Sequence, residues 1–215
     1  MGIIRQGILG GFRKKTGSVV GAYWRTLDVI RGLPRISGKA ATPAQLLQRA
    51  KFRIVTSRLS PIGPIIQTGF KAKSKVATPM NLAVAYHLEN AITMLAGEPN
   101  LDWAKLKYSE GKVMVPFDIS VATGAAGSLD FEWKNVGTES RLKAGTDRVT
   151  VLVYNEMKDH YVFYENIVAR SAGSYNMVLP AEFSEDLVHA YISFNSTTEK
   201  ELVSNSVYLG RVPVL

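Results

Sequence analysis

Apolar and polar positions alternate with period two along the second half of the chain. From Leu101 onward the runs "AKLKYS", "KVMVPFDIS", "SLDFEWKNV", "DRVTVLVYN", "HYVFYEN", "SYNMVLP", "LVHAYISFN" and "NSVYLGRVPVL" are separated by Gly, Asn, Asp and Ser clusters. Alternation bounded by such turn residues is the signature of strands. Eight runs at this spacing predict an antiparallel β-sandwich over residues 101–215. In "SLDFEWKN", Leu129, Phe131 and Trp133 alternate with charged residues, so one face of that strand is expected in a core and the other in water.

Residues 41–100 read as helix. The segment opens and repeats a local echo, "KAATPAQ" at 39–45 and "KVATPMN" at 75–81. In each, Thr before Pro marks a helix start: Thr42 and Thr78 can cap, while Pro43 and Pro79 suit the first helical position, where the missing N–H has no partner to lose. Thr42 and Gln45 complete a capping box. The first helix is predicted from Pro43 to Leu59, stopped by "SPIGP" with Pro61 and Pro64. Leu47, Ala50, Ile54, Val55 and Leu59 supply its apolar side, and Arg49 and Arg53, four residues apart, project together. A second helix is predicted from Pro79 to Ala96, with Gly97 as the residue that ends it. Between them "IIQTGFKAKSK" reads as a short helix running into a basic linker.

Residues 1–40 are glycine-rich, with Gly at positions 2, 7, 10, 11, 17, 21, 32 and 38, a spacing that breaks helix throughout. Within them "SVVGAYWR" and "DVIRGLPR" are β-type runs whose connection falls near Thr26 to Asp28, which predicts a hairpin. A lone hairpin is marginal in water, so this one is expected to dock on something. The resulting fold class is α+β: a basic N-terminal arm with a hairpin, two to three helices, and a C-terminal sandwich.

Charge changes this picture more than composition does. The 215 residues are 46% hydrophobic, enough to bury a sizeable core, and include no Cys, which excludes disulfides, thiolate catalysis and Cys-based metal sites. No run of eighteen apolar residues occurs, so no bilayer-spanning helix is expected, and "MGIIRQGILGGFRKK" lacks the apolar core and small-residue cleavage site of a secretory signal. Gln6 stands where a myristoylation motif needs Ser or Thr. The net charge of +8 conceals a split: residues 1–75 hold 15 Lys and Arg against Asp28 alone, net +14, and residues 76–215 hold 11 against 17 acids, net −6. A block this basic meets a polyanion or an acidic protein surface, including that of a neighbouring copy, unless it is simply a solvated face.

No catalytic constellation stands out. His87, His160 and His189 have no ligand spacing, and no P-loop, dinucleotide fingerprint or nucleophile elbow occurs, so no cofactor or metal is expected. Trp133, Tyr154, Tyr161, Tyr164 and Tyr191 would suit a sugar platform, but aromatic residues at period two are ordinary sandwich core. The residues for contact with a polyanion or a second copy are Arg13, Lys14, Lys15, Val20, Tyr23, Trp24, Arg25, Arg31, Arg35, Arg49 and Arg53. Cations interleaved with Tyr23 and Trp24 would suit phosphates and stacked bases. The alternation of Val20, Ala22 and Trp24 suits instead a strand or hairpin laid against a protein sheet.

Three resemblances follow from blocks of the sequence. "LPAEFSEDLVHAYISF", with Leu179 and Pro180 ahead of a strand bearing Tyr191, resembles the tyrosine-corner region of fibronectin type III domains, which implies an immunoglobulin- or fibronectin-like sandwich. "GILGGFRKKTGSVVGAYW", "DVIRGLPR", "ATPAQLLQRAKF", "LSPIGPIIQTGFK", "LPAEFSED" and "SNSVYLG" together resemble, from end to end, an uncharacterised family of Bacteroidetes proteins of unknown function. The front half is also similar to segments of phage and prophage proteins, which implies a virion-like or otherwise repetitive structural protein. The expected function is accordingly non-enzymatic self-assembly through the arm, as a homo-oligomer. A nucleic-acid-binding protein using residues 1–75 is the alternative, and a surface adhesin or carbohydrate-binding sandwich the second alternative.

Overall fold

The hairpin expected near the N-terminus forms, and it is part of a larger sheet. β3 (Val19–Trp24) and β4 (Leu27–Gly32) pair antiparallel with Trp24 opposite Leu27. β1 (Gly2–Ile4) adds to β4 and β2 (Lys14–Thr16) to β3, giving the order β1-β4-β3-β2. Four strands overcome the marginal stability of two. The computed structural model describes residues 2–4, 12–24, 27–34, 38–71, 77–125, 127–199 and 201–215, and divides into two compact units, Met1–Pro43 and Ala44–Leu215. The hairpin connection at Arg25 and Thr26, and Arg35, lie outside the described residues.

α1 spans Pro43–Leu59, the predicted bounds, with all but its first residue in the second unit. Its final turns bury Val55 and Leu59, and Ile54 packs beside them. Leu47, expected on the apolar side, stays exposed with Leu46 and Phe52, because the core reaches only the last turns of the helix. Pro64 does more than stop α1: it occupies the first turn of α2 (Gly63–Gly69), where a missing N–H is harmless. α3 (Pro79–Asn90) begins as expected, with the Thr78 hydroxyl accepting the Asn81 N–H at 3.1 Å. It ends six residues before Ala96. Ile92–Leu95 and Glu98–Leu101 instead pair as β5 and β6 about Ala96 and Gly97, both at positive φ (51° and 87°). Gly97 therefore closes a two-residue hairpin turn rather than a helix.

Seven of the eight predicted strands form: β7 (Phe117–Thr123), β8 (Ser128–Lys134), β9 (Arg148–Asn155), β10 (His160–Tyr164), β11 (Ser174–Val178), β12 (Leu187–Asn195) and β13 (Val207–Pro213). "AKLKYS" is not a strand. It is a 3-10 turn at Trp103–Lys105 followed by irregular chain, whose N–H groups at Lys107 and Tyr108 donate to His87 Nε2 (3.0 Å) and Ser206 Oγ (3.2 Å) instead of to a ladder.

All pairings within the two main sheets, β10-β9-β12-β13 and β11-β8-β7, are antiparallel. Leu129, Phe131, Trp133 and Met177 of the smaller sheet meet Val149, Val151, Val153, Ile192 and Phe194 of the larger in one core. On the other side of the larger sheet, Leu152, Tyr154, Tyr161 and Tyr191 share a second core with Val55, Leu59, Ile62, Ile66, Phe70 and Val84 of the helical segment. The last turns of α1 with α2 and α3 thus pack on the sandwich. β9 and β12, covered on both sides, read in sequence as nearly continuous apolar runs for that reason.

Candidate assembly surface

Register fixes which side chains of the N-terminal sheet share a face, since opposed residues point the same way. Val20 faces Arg31, Ala22 faces Val29 and Trp24 faces Leu27, while Lys15 joins Val20 and Ile3 joins Val29. One side is therefore apolar from Trp24 to Val20 and cationic beyond, at Lys15 and Arg31. Val29 is buried, whereas Ile3 and Trp24 are about half exposed, at 53% and 46%. The opposite side bears Val19, Gly21, Tyr23 and Ile30. There the Arg13 guanidinium lies 4.9 Å from the Tyr23 ring centroid, a cation–π contact. Phe12 packs so closely on Gly21 that a Cβ there would fall 2.2 Å from its carbonyl oxygen and 2.8 Å from its ring. Glycine at position 21 is needed for that approach.

Of the residues singled out from the sequence, the sheet gathers Lys15, Val20, Trp24 and Arg31 on one side and Arg13 with Tyr23 on the other. Lys14, at a φ of 71°, sits on the edge strand β2, where lysines discourage further pairing. Arg25 and Arg35 lie outside the described residues. Arg49 and Arg53 belong to the second unit, along α1, where they line a shallow groove with Gln45, Gln48, Phe52 and Thr56. No acid occurs in α1.

Within the second unit the aromatic residues weighed for a sugar platform do not share a surface. Trp133 lies between the sheets, Tyr154, Tyr161 and Tyr191 lie under the helical segment, and Tyr164 is exposed. Burial raises the pKa of the phenols of Tyr154, Tyr161 and Tyr191 above the ordinary value of 10, so all three remain neutral; the Tyr154 hydroxyl donates to Asp159 Oδ1 at 2.8 Å, whereas the buried Tyr161 hydroxyl has no hydrogen-bond partner among the described residues. The Tyr191 hydroxyl donates to Trp103 O at 2.7 Å. It does not bond back to its own corner, so the tyrosine-corner geometry suggested by the sequence is absent.

Each histidine is engaged structurally. His87 is buried, with Nδ1 2.7 Å from Ala83 O and Nε2 accepting the Lys107 N–H, an arrangement that sets the Nδ1–H tautomer. Burial lowers its pKa. His189 Nδ1 meets the Tyr208 hydroxyl at 2.9 Å, and burial followed by the Arg211 charge lowers its pKa too. His160 lies 3.5 Å from Glu182 at the surface. Among the described residues there is no cluster of three or more His, Cys, Asp or Glu fit for a metal, and no helix long and apolar enough to cross a membrane.

A cleft of about 920 Å³ opens between the 110–112, 140–142 and 201–205 segments. Its charges are largely used in pairing: Arg141 bonds Glu199, and Lys71 reaches Glu201 at 3.2 Å. Sequence reasoning missed one buried polar centre, the Arg170–Asp147 ion pair, each side chain at most 2% exposed. Neither residue has a local signal, because Asp147 reads as a turn acid and Arg170 as a loop cation.

The sequence pattern of DUF6266, a family of unknown function, matches residues 11–210. No curated protein matches the chain. Among solved structures, the solution structure of the fn3 domain of human contactin 1 is similar at 8% identity and a TM-score of 0.32, covering 47% of this chain and 79% of that one.

Proposed function

We propose that this chain, which belongs to the DUF6266 family of unknown function, is a non-enzymatic structural protein that self-assembles through its N-terminal sheet. The observation supporting it is the sheet of unit Met1–Pro43 itself: a separate folded element whose one side runs from half-exposed Trp24 through Ala22 and Val20 to the cations Lys15 and Arg31. An electrostatic tail has no use for that alternation, whereas a sheet laid against another sheet uses every second side chain. The net +14 of residues 1–75 against −6 for the remainder gives one copy a reason to attract the next. A contact between two unlike surfaces of one chain is heterologous, so it closes into rings or propagates as filaments. Such repetition agrees with the front-half resemblance to phage and prophage proteins and favours a virion-like or other repetitive role.

The strand order supports an immunoglobulin-like reading of the sandwich: β7, β8 and β11 oppose β9, β12 and β13 as the A, B and E strands oppose C, F and G, with β10 extending the second sheet.

Light scattering after size exclusion tests assembly on the full chain and on a Val20→Ser/Trp24→Ser variant. A multimeric wild type that the double variant reduces to monomer is expected; a monomeric wild type at high concentration and low salt overturns the proposal. Nucleic-acid binding is the second reading, favoured by Arg49 and Arg53 flanking exposed Phe52 on an acid-free helix. A salt-titrated gel shift with a random oligonucleotide tests it, and no shift at low salt removes it.

A further inference from the structure

The two sheets of the sandwich differ in how they are covered. The sheet β10-β9-β12-β13 is buried on both sides, one by the smaller sheet and one by the helical segment. The smaller sheet, β11-β8-β7, turns Leu129, Phe131 and Trp133 inward and leaves its outer side to solvent. Register places Asp130 and Glu132 on that outer side along the central strand, flanked by Ser120 and Ala122 of β7 and Ser174 and Asn176 of β11. The flanking side chains are small, so the surface is flat. Val178, 66% exposed at one end, adds an apolar contact. Glu132 has no ion-pair partner among the described residues, and Lys134, the cation at the strand end, is held by Asp118 at 3.3 Å. Asn176 donates to Asp130 at 2.6 Å and fixes that carboxylate on the surface.

We propose that this outer side receives the N-terminal sheet of a second copy, seated through the side bearing Val20, Ala22 and Trp24. The inference rests on the assembly reading and says where the arm lands. Charge is the first argument: Lys15 and Arg31 stand beside Val20 on the donor side, and two carboxylates occupy the centre of the receiving one. Shape is the second. Face-to-face sheets sit about 10 Å apart, which large residues on one side can fill only where the other carries small ones. Trp24 and Leu27 on the arm facing Ser, Ala and Asn on the body meet that condition. The small residues also lose little side-chain entropy on being covered.

The chain contains no Cys, which makes cross-linking specific. Full-length Arg31→Cys and full-length Glu132→Cys are mixed and mildly oxidised, with Arg31→Cys plus Met157→Cys as the control, Met157 being 78% exposed elsewhere in the body. The expected result is a disulfide-linked dimer enriched at least several-fold over the control on a non-reducing gel. Equal yields, with a wild type that still scatters as a multimer, overturn this docking site and leave the assembly reading standing. A monomeric wild type overturns both. A chain carrying both cysteines that cross-links only to itself overturns the second copy in favour of the chain's own arm. A charge exchange gives a second readout: Arg31→Glu should lower the mass and the added Glu132→Arg should restore it. Failure to restore counts against the site.

Discussion

Removing either partner of the buried Arg170–Asp147 pair should unfold the sandwich far more readily than removing both. The guanidinium makes two polar contacts, Nη1 to Asp147 Oδ2 at 3.3 Å and Nε to Asn135 Oδ1 at 2.8 Å, and rests 5.1 Å from the Phe194 centroid. The carboxylate also accepts the Ala144 N–H at 3.1 Å. Burial lowers the Arg170 pKa from its ordinary value and Asp147 opposes that shift, which marks a charge held in apolar surroundings by its partner. Asp147→Ala leaves a cation buried without its counter-ion, at a cost of about 3–5 kcal/mol. Against a total stability of about 5–15 kcal/mol that is a large fraction, and for a chain of this size it lowers Tm by about 6–20 °C. Arg170→Met should cost a similar amount. The double change Arg170→Met/Asp147→Leu leaves only Asn135 Oδ1 and the Ala144 N–H without partners, at about 1 kcal/mol each, and should recover the remainder. Urea unfolding followed by circular dichroism, assembled as a double-mutant cycle, measures the coupling. Single changes costing under about 1 kcal/mol, or a double change costing the sum of the two, would refute the reasoning.

Gly69→Ala should destabilise by about 1–3 kcal/mol, because a Cβ there would fall 2.2 Å from Tyr108 O and 2.7 Å from Ser109 Cα, backbone that cannot move aside cheaply; a shift in the urea midpoint checks it. Thr78→Ala removes the acceptor for the Asn81 N–H and should cost about 1 kcal/mol by the same measurement. Stability should also fall as pH drops through the histidine range. His87 has a folded pKa below its ordinary 6.5, so below that pH the unfolded chain binds more protons and the native state is penalised. Urea midpoints at pH 7.5 and 5.5 should differ less in His87→Gln than in the wild type, with His189, shifted in the same direction, supplying the remaining slope.

Local chemistry made the boundaries of α1, the start of α3 and seven strands legible. Thr-Pro pairs and period-two alternation act within a few residues and need no distant partner. The end of α3 was not legible. Gly97 suits a helix end and a two-residue turn equally well, and the choice fell to the pairing of Ile92–Leu95 with Glu98–Leu101. "AKLKYS" failed for a related reason: its alternation is that of a strand, but the N–H groups of Lys107 and Tyr108 go to the side chains of His87 in α3 and of Ser206, both distant in sequence, while Lys105 and Leu106 donate to carbonyls three residues back in a 3-10 turn.

Of the candidate surface, the sequence by itself determined the ingredients: the alternation of Val20, Ala22 and Trp24, the excess of cations before residue 76, and the acids beyond it. Tertiary structure decided how they group. Strand register put Lys15 and Arg31 beside Val20 and sent Arg13 to the other side with Tyr23. Sheet order left Asp130 and Glu132 on the one outer face that the helical segment does not cover. Spacing along a chain fixes the side a residue takes within its own strand, whereas the neighbours it acquires depend on pairings between strands far apart in sequence. That same rule made the Arg170–Asp147 pair invisible until the fold brought its halves together.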